Sequence, residues 1–393
     1  MNVQYTSAII FILLMFIFLI LNRKRIQVQK ILFPLLYFAM YRTKLGLKFM
    51  DKIAKKLSKP LKHIGYFAIF IGFFGMFVIA YALIQNVITL ITKPETVSGV
   101  GLVLPFEVKG AFYVPFFYWI ISIFIIAVVH EFSHGILARK YNMKIKSSGF
   151  AFLGILLPIV PAAFVEPDEN ELKKRPAKQQ LSVFAAGPFS NILLAFIILA
   201  ITALIATPLS SIMIEPDGVL ITGLIEDSTY PAQEAGIKGN DIIKSIDNIP
   251  TPYLTNFSEV LKNKNPGDII ILETNTSTYN VTLGRNPQNE SRPYLGVYVE
   301  QNTKINENFI NRYGKFTPAV IIWIMGLLYW LYVLNLGIGL FNLAPMGPLD
   351  GGRMLLVTLQ NFFEEKKAIR YWKNIGFFFL ALVLINILFS FIH

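Results

Sequence analysis

Two histidines and a glutamate lie close together in the stretch VVHEFSHGILA, residues 128–138. His130 and His134 are four residues apart, so on an α-helix they share one face and both ring nitrogens can reach one metal ion. Glu131 lies one step round the helix, within reach of a water molecule beside that metal. This H-E-x-x-H pattern indicates zinc-dependent hydrolysis, in which the glutamate accepts a proton from water and passes it to the leaving amine.

A catalytic zinc takes three protein ligands, so a third ligand must come from elsewhere in the chain. The chain has no cysteine, which leaves histidine, aspartate or glutamate. Asp350, in LFNLAPMGPLDGGRMLL, is the strongest candidate because it is an acidic residue embedded among late apolar segments. Asn342 lies nearby in sequence, and its amide can hold a substrate backbone or stabilise oxyanion charge. The alternative role for Asp350 is to cap the helix that follows it.

The segment that must position the two histidines is apolar. The nineteen residues of 111–129 carry no charge, and with the residues up to Ala138 they are long enough to cross a bilayer. The whole chain is 54% hydrophobic and 15% charged, against about 45–50% and about 25% in soluble domains. Ionisable side chains inside a membrane are functional candidates by default. The sequence therefore predicts an integral membrane protein with zinc chemistry at membrane depth.

Apolar runs and basic clusters together predict a topology. The candidate spans are Tyr5–Leu21, about 64–91, Ala111–Ala138, Leu181–Thr207, about 317–343 and about 375–392. When every basic cluster is placed in the cytoplasm, the N-terminus lies outside and the histidine motif lies toward the cytoplasmic side. The first apolar run precedes its basic residues and is predicted to be a retained anchor. Cytoplasmic loops also account for the net charge of +12, so no nucleic-acid partner is predicted.

Two apolar segments do not fit simple spanning. The segment 31–40 is short, has basic residues on both sides and is interpreted as interfacial. Ser147–Pro167 is long enough to span, but it is interrupted by glycine and proline and has cytoplasmic flanks on both sides. It is predicted to be a re-entrant hairpin bordering a polar cavity, the alternative being two short interfacial pieces.

A break follows the helix predicted from Thr317. That helix is expected to end near Asn342, because Pro345, Gly347 and Pro348 break it. Gly351–Gly352 are expected to form a tight turn that directs Asp350 toward the metal.

The composition changes between about Pro216 and Glu300, where charged residues and short alternating runs predict a small soluble domain outside the membrane. Its string PAQEAGIKGNDIIKSIDNIP resembles a PDZ domain. The matching residues are Ala235, Gly236, Ile237, Gly239, Asp241 and Ile243. PDZ domains bind extended peptides by adding a strand to a sheet edge, which predicts a peptide or a substrate end as the ligand. The alternative is a spacer domain without a ligand.

Three motifs in this order resemble the site-2 protease family of intramembrane zinc metalloproteases. They are His130-Glu131-x-x-His134, then AAGPFSN at Ala185–Asn191, then Asn342-x-x-Pro345-x-x-Pro348-Leu349-Asp350-Gly351-Gly352. A PDZ domain inserted between the last two motifs also matches the prokaryotic branch of that family. The resemblance runs from about Ala111 to the C-terminus and leaves the first 110 residues outside it.

The resemblance implies a role for each matching residue. It implies zinc ligands at His130, His134 and Asp350, a general base at Glu131 and a substrate-positioning amide at Asn342. It also implies that the 147–167 hairpin pairs with an unwound transmembrane substrate. Gly187 and Asn191 match motif positions and are predicted to be structural.

Together these patterns predict a multi-pass α-helical membrane protein of the cell membrane, a helical bundle with a re-entrant β-hairpin and one inserted extracytoplasmic PDZ domain (α+β). The predicted divisions are an N-terminal membrane module at 1–110, a catalytic core at 111–215 and 301–393, and the PDZ domain at 216–300. The predicted function is hydrolysis of peptide bonds within the transmembrane segments of membrane-protein substrates.

Two alternatives stay open at this point. A zinc-binding transporter or receptor explains the intramembrane His and Asp, but it leaves Glu131 and the PDZ domain without a role. A membrane protease of the prenyl-protein type takes its third ligand from a Glu in an E-x-x-x-D motif, which Glu364–Glu365 do not match.

Overall fold

The computed structural model describes residues 3–32, 36–93, 95–96, 98–155, 157–225 and 230–392. The chain divides into two compact units, one of Met1–Thr202 with Ile324–His393 and one of Ala203–Trp323. All five predicted site residues fall in the first unit.

The first unit begins with an apolar helix, a β-hairpin and two further helices. These elements are α1 Val3–Leu21, β1 Ile26–Leu32, β2 Leu36–Thr43, α2 Leu47–Lys56 and α3 Ser58–Thr92. α3 has 35 residues, well above the roughly 20 that cross a bilayer, so it tilts or extends beyond the hydrocarbon. α2 is short, carries lysines on one side and buries Met50 on the other.

The helix that carries the histidine motif begins later than predicted. The elements from here to the middle of the chain are β3 Leu102–Leu104, β4 Ala111–Tyr113, α4 Phe116–Lys140, β5 Ile145–Ile155, β6 Leu157–Pro167, α5 Glu169–Lys173 and α6 Ala177–Ile201. α4 starts at Phe116 and not at Ala111, because residues 111–113 pair with β3 and Pro115 directly precedes the helix. The free N–H of Phe116 donates to Gln4 Oε1 of α1 at 3.0 Å, so α1 caps α4.

A four-stranded antiparallel sheet adjoins α4, with strand order β1-β2-β5-β6. β5 and β6 form a hairpin over the predicted 147–167 segment, and residue 156 between them lies outside the described residues. Of the segment 31–40, which was interpreted as interfacial, residues 31–32 lie in β1 and residues 36–40 in β2, and residues 33–35 lie outside the described residues. β2 pairs with β5 along Leu36–Thr43, so the N-terminal hairpin and the central hairpin form one sheet.

The second unit is built on a sheet with strand order β11-β10-β8-β7-β14, with β9 paired to β8. Its elements are α7 Thr207–Met213, β7 Ile214–Leu224, α8 Pro231–Glu234, β8 Ile242–Ile246, β9 Ile249–Pro250, α9 Leu254–Lys262, β10 Ile269–Thr274, β11 Thr278–Thr282, β12 Gly284–Asn286, β13 Asn289–Tyr294, β14 Val297–Ile305 and α10 Glu307–Tyr313. Alternate residues of β7, β8 and β10 fill its core, among them Ile221, Ile243 and Ile270.

The PDZ-like signature stabilises the turn between α8 and β8. Gly236 follows α8 with φ +71°, a conformation that favours glycine. Asp241 is buried and accepts hydrogen bonds from Thr276 Oγ1 at 2.7 Å and Tyr279 OH at 2.9 Å. Burial raises the pKa of this carboxyl, but the hydrogen bonds outweigh that effect and hold its pKa below the ordinary value.

The chain returns to the first unit through α11 Phe316–Phe341, α12 Asp350–Phe362 and α13 Glu365–Ile392. α11 ends just before Asn342, as predicted. Gly351 and Gly352 do not form the predicted tight turn but lie in the first turn of α12. A Cβ at these two glycines would overlap the carbonyl oxygens of Leu343 and Met346 respectively. Glycine is therefore needed here for close packing of α12 on the preceding loop.

Within the described residues, five helical segments are long and apolar enough to cross a membrane. They are α3, α4, the run Ala177–Met213 that begins with α6, α11 and α13. α1 contains a shorter apolar helix, Thr6–Leu21. The chain is therefore a multi-pass membrane protein.

Candidate active site

The three predicted metal ligands converge, although 216 residues separate His134 from Asp350. His130 Nε2 lies 3.0 Å and His134 Nε2 lies 3.3 Å from the same oxygen, Asp350 Oδ2. One ligand atom from each residue lies within 4.8 Å of the others. Both histidines are buried, at 8% and 9% exposure. α4 supplies two of these side chains and the first residue of α12 supplies the third.

The residues fit a zinc ion by donor type and by spacing. Zinc binds neutral imidazole nitrogen and carboxylate oxygen at about 2.0–2.2 Å in tetrahedral geometry, which separates neighbouring donors by about 3.3 Å. The two separations of 3.0 and 3.3 Å agree with that value. Three protein ligands would leave one zinc position for water or substrate, as a catalytic site requires.

Helix α6 contacts the outer nitrogens of both histidine rings. His134 Nδ1 donates to the carbonyl oxygen of Val183 at 2.7 Å, which directs Nε2 toward Asp350. His130 Nδ1 lies 3.1 Å from the side-chain amide of Asn191. Between these two contacts, a Cβ at Gly187 would overlap both Nε2 atoms. The glycine therefore leaves the space in which the two nitrogens meet.

Glu131 lies beside the three ligands but not among them. Its Oε2 accepts a hydrogen bond from the backbone N–H of Val165 in β6 at 3.0 Å. Asn342 lines the same cavity, and its Nδ2 donates to Ile338 O at 3.1 Å, which leaves its second N–H for another acceptor. The structure thus brings all five predicted site residues to one place.

A cavity of about 670 Å³ opens onto these residues. One face of the sheet forms its floor, with Met40 and Arg42 from β2 and Phe164 and Glu166 from β6. Arg42 reaches across β5 to form an ion pair with Glu166 at 2.8 Å, and Ser147 Oγ donates to the same carboxylate at 2.7 Å. The floor therefore combines apolar side chains with an ion pair that is about one-third exposed.

The N-terminal hairpin and α2 form part of this site, although they lie outside the motifs. Gly46, the residue before α2, has φ +80° and lies so close to Phe132 that a Cβ would overlap its ring. Met50 of α2 packs between Gly135 of α4 and Val165 of β6. The turn of α4 that carries the motif is thus supported from behind by α2.

The sequence did not predict four contacts at the site. They are made by Val165 with Glu131, Arg42 with Glu166, Val183 with His134 and Asn191 with His130. A signal existed only for Asn191, which stands in the Gly-Pro-x-x-Asn element. Val165 and Val183 act through backbone atoms, so their side chains carry no signal. Arg42 stands in a basic segment whose charge has an ordinary membrane-topology explanation.

A family model described as Peptidase family M50 matches residues 118–383. An uncharacterized protein of Methanocaldococcus jannaschii is 32% identical over 88% of this chain and 84% of its own length. The zinc metalloprotease RasP of Shouchella clausii is 21% identical over 57% of this chain and 62% of its own. The crystal structure of a PDZ domain from an SdrC-like protein of Listeria monocytogenes matches 24% of this chain and 92% of that chain, with 16% identity and a TM-score of 0.19.

Proposed function

This chain belongs to peptidase family M50, and from that membership we propose how its membrane unit carries out hydrolysis. The protein is an intramembrane zinc metalloprotease of the site-2 type. The observation that carries the proposed mechanism is the convergence of His130, His134 and Asp350 within 4.8 Å, with Glu131 beside them. The family match does not favour the alternative of a zinc transporter or receptor.

His130 Nε2, His134 Nε2 and an Asp350 oxygen would hold the zinc ion. When bound, zinc supplies Lewis-acid activation of water and of the scissile carbonyl. The contact between His134 Nδ1 and Val183 O keeps that ring in the tautomer whose Nε2 carries a lone pair. The chain thus provides a preorganised donor set, and burial of both rings keeps them in one orientation.

Glu131 is the proposed general base. Its carboxylate accepts a proton from the attacking water and then delivers it to the nitrogen of the leaving amine, so the proton balance closes within the site. Oε2 accepts a hydrogen bond from the N–H of Val165, so Oε1 is the oxygen that is left to take the proton. Binding to a backbone atom of a sheet also fixes the carboxylate, because the strand cannot rotate as a side chain does.

Asn342 is the proposed substrate-positioning residue. One of its amide N–H groups is bound to Ile338 O, which orients the side chain, and the other is available to the cavity. A donor of this kind can bind a substrate carbonyl or the oxyanion that forms from it.

β6 is the edge strand of the sheet among the described residues, and this position supports a way of binding an unwound substrate. In an antiparallel pair, alternate residues direct their backbone N–H and C=O groups away from the partner strand. The N–H of Val165 faces Glu131 and not β5, so Ala163, two residues earlier, also faces outward. A transmembrane helix hides its scissile carbonyls in its own hydrogen bonds and must unwind before attack. We infer that an unwound segment adds to this edge as a fifth strand.

The proposed orientation in the membrane follows from charge and from the floor of the cavity. The β5–β6 hairpin is proposed to be re-entrant and to line a water-containing cavity, where irregular or strand backbone at membrane depth is tolerated. Arg42, Lys146 and the basic end of α4 are placed on the cytoplasmic side by the positive-inside rule. Water then reaches Glu131 from the cytoplasm along the floor of the cavity. The N-terminus and the residue 216–300 domain are placed outside.

The proposed substrates are single transmembrane segments of other membrane proteins. The residue 216–300 domain is proposed to be a PDZ domain that engages a peptide or a substrate end by strand addition. Its Ala235–Asp241 signature, rather than any ligand contact, supports that assignment.

The test is a Glu131→Gln variant assayed for cleavage of a transmembrane substrate in detergent with zinc. Loss of the general base lowers the rate by about 10²–10⁴-fold while zinc content stays at the wild-type level. His134→Ala is the matched comparison, because it is expected to lose both zinc and activity. Retained cleavage by Glu131→Gln would overturn the proposed mechanism.

A further inference from the structure

Asn191 is a fully buried polar residue at the middle of α6, with 0% exposure. Its side-chain amide lies 3.1 Å from His130 Nδ1. The other atom of that amide, Oδ1, is buried and has no hydrogen-bond partner among the described residues. A buried carbonyl oxygen without a donor is destabilising, so the site contains an unused acceptor beside a histidine ring.

The position of Asn191 on α6 repeats that of the other residues that contact the ligands. Val183, Gly187 and Asn191 follow one another at intervals of four, which places them along one face of a helix. The first binds His134 through its carbonyl oxygen and the second leaves room for both Nε2 atoms. The third contacts His130. One face of α6 thus contacts both rings. Asn191 lies beside His130 Nδ1 as Val183 O lies beside His134 Nδ1.

The chemistry of a ligating imidazole decides which end of the amide faces the ring. If His130 Nε2 presents a lone pair to a metal, Nδ1 carries the proton and its partner must accept. Rotation of the amide by 180° exchanges Oδ1 and Nδ2 at nearly the same positions. In that orientation Oδ1 accepts the Nδ1–H of His130, and Nδ2 takes the position that Oδ1 held.

We propose that Asn191 is a positioning residue that fixes His130 as the Nδ1–H tautomer by accepting that proton, and so directs the Nε2 lone pair toward Asp350. The inference rests on the proposed function only in taking His130 as a metal ligand. It assigns Asn191 a role that a purely structural, space-filling residue does not have.

The experiment compares zinc affinity, measured by chelator competition, in the purified full-length protein and two variants. Asn191→Leu keeps the approximate size of the side chain and removes the acceptor, so the Kd for zinc rises by about 10–100-fold. Asn191→Asp keeps an acceptor at the same distance and binds zinc within a few-fold of wild type. The visible spectrum of the cobalt(II)-loaded protein, which reports ligand geometry, changes in Asn191→Leu and is preserved in Asn191→Asp.

A matched control is available in Asn335 of α11. It is also 0% exposed, its Oδ1 also lacks a partner among the described residues, and its Nδ2 donates only to Leu331 O of its own helix. Asn335→Leu is expected to leave zinc affinity unchanged, which separates the loss of an acceptor at His130 from the general loss of a buried amide.

Each outcome has a defined meaning. Wild-type zinc affinity in Asn191→Leu, or equal weakening in Asn191→Asp and Asn191→Leu, overturns the positioning role. Unchanged zinc content in His134→Ala would instead overturn the proposed metal site, so the two failures are distinguishable.

Discussion

Helix α6 and the sheet β1-β2-β5-β6 both approach α4 at the turn that carries the histidine motif, and they contact different residues of it. α6 meets the rings of His130 and His134 with a backbone carbonyl, a glycine and an amide, all without charge. The sheet meets Glu131 with a backbone N–H and presents Arg42 and Glu166 to the cavity. One side of the site is closely packed, and the other is open and charged.

The two sides of the site differ in what they must do, which is to hold metal ligands on one side and to admit a substrate on the other. Metal ligands must be held in one orientation, so the α6 side has no room for an added methyl group and no freedom for a ring to turn. The proposed substrate segment must enter, unwind and leave, and the cavity and the outer edge of β6 on the sheet side fit that proposal. α6 lies within the residues that match the family model, whereas β1, β2 and α2 lie before residue 118, where that match begins. We infer that the part matched by the family model fixes the chemistry and that the part before it shapes access to the site.

Among three variants that compare the two sides, the largest effect is expected from Gly187→Ala on the α6 side. The added methyl group would overlap both Nε2 atoms, so the rings must separate and the donor set is lost. We expect zinc affinity to fall by at least about 10–100-fold, as for loss of a supporting contact, and activity to fall with it. Zinc content by atomic absorption and a cleavage assay measure both. Gly337→Ala is the control, since a Cβ there meets nothing within 4 Å. Normal zinc binding in Gly187→Ala would contradict the close packing of this side.

A smaller effect, and one of a different kind, is expected from Val165→Pro on the sheet side. Proline removes the N–H group that donates a hydrogen bond to Glu131. The pairing of β6 with β5 is kept, because that N–H faces away from β5. A hydrogen bond to a charged group contributes about 1.5–3 kcal/mol, so activity should fall by roughly 10–100-fold while zinc content is unchanged. Val165→Ala keeps the N–H and controls for the lost side chain. If Val165→Pro lost zinc as well, the two sides would not be separable.

The smallest effect is expected from Arg42→Gln. The Arg42–Glu166 ion pair is about one-third exposed on each side, and exposed pairs contribute about 0.2–1 kcal/mol. We therefore expect less than about a five-fold change in cleavage rate, larger at low ionic strength because salt screens the pair. Rates measured across a salt series provide the test. A loss comparable to that of Glu131→Gln would mean that the floor takes part in the chemistry and does not only shape access.

Local sequence patterns predicted the elements whose cause is local. The length of apolar runs predicted the spanning helices, and the four-residue spacing of His130 and His134 placed them on one face. The interruptions between Asn342 and Asp350 predicted the break before α12. The roles of the five site residues remain predictions, although the structure brings them together.

What sequence could not predict depends on contacts between distant segments. The start of α4 was wrong because residues 111–113 pair with β3, a partner that no hydropathy pattern specifies. The assignment of Gly351 and Gly352 to a turn was wrong. Their close approach to Leu343 and Met346 follows from folding of the preceding loop, which no local rule predicts. The strands β1 and β2 were missed because the side chains of a short basic segment do not reveal the sheet that it joins.

The central place of β5 in the sheet limits how the cavity can change shape. β5 pairs with β6 on one side and along eight residues, Ser148–Ile155, with β2 on the other. A displacement of β6 that keeps both pairings carries β1, β2 and β5 with it. Such a displacement involves four strands and not a two-strand loop. Its rate should respond to changes in the N-terminal hairpin, far along the chain from any catalytic side chain.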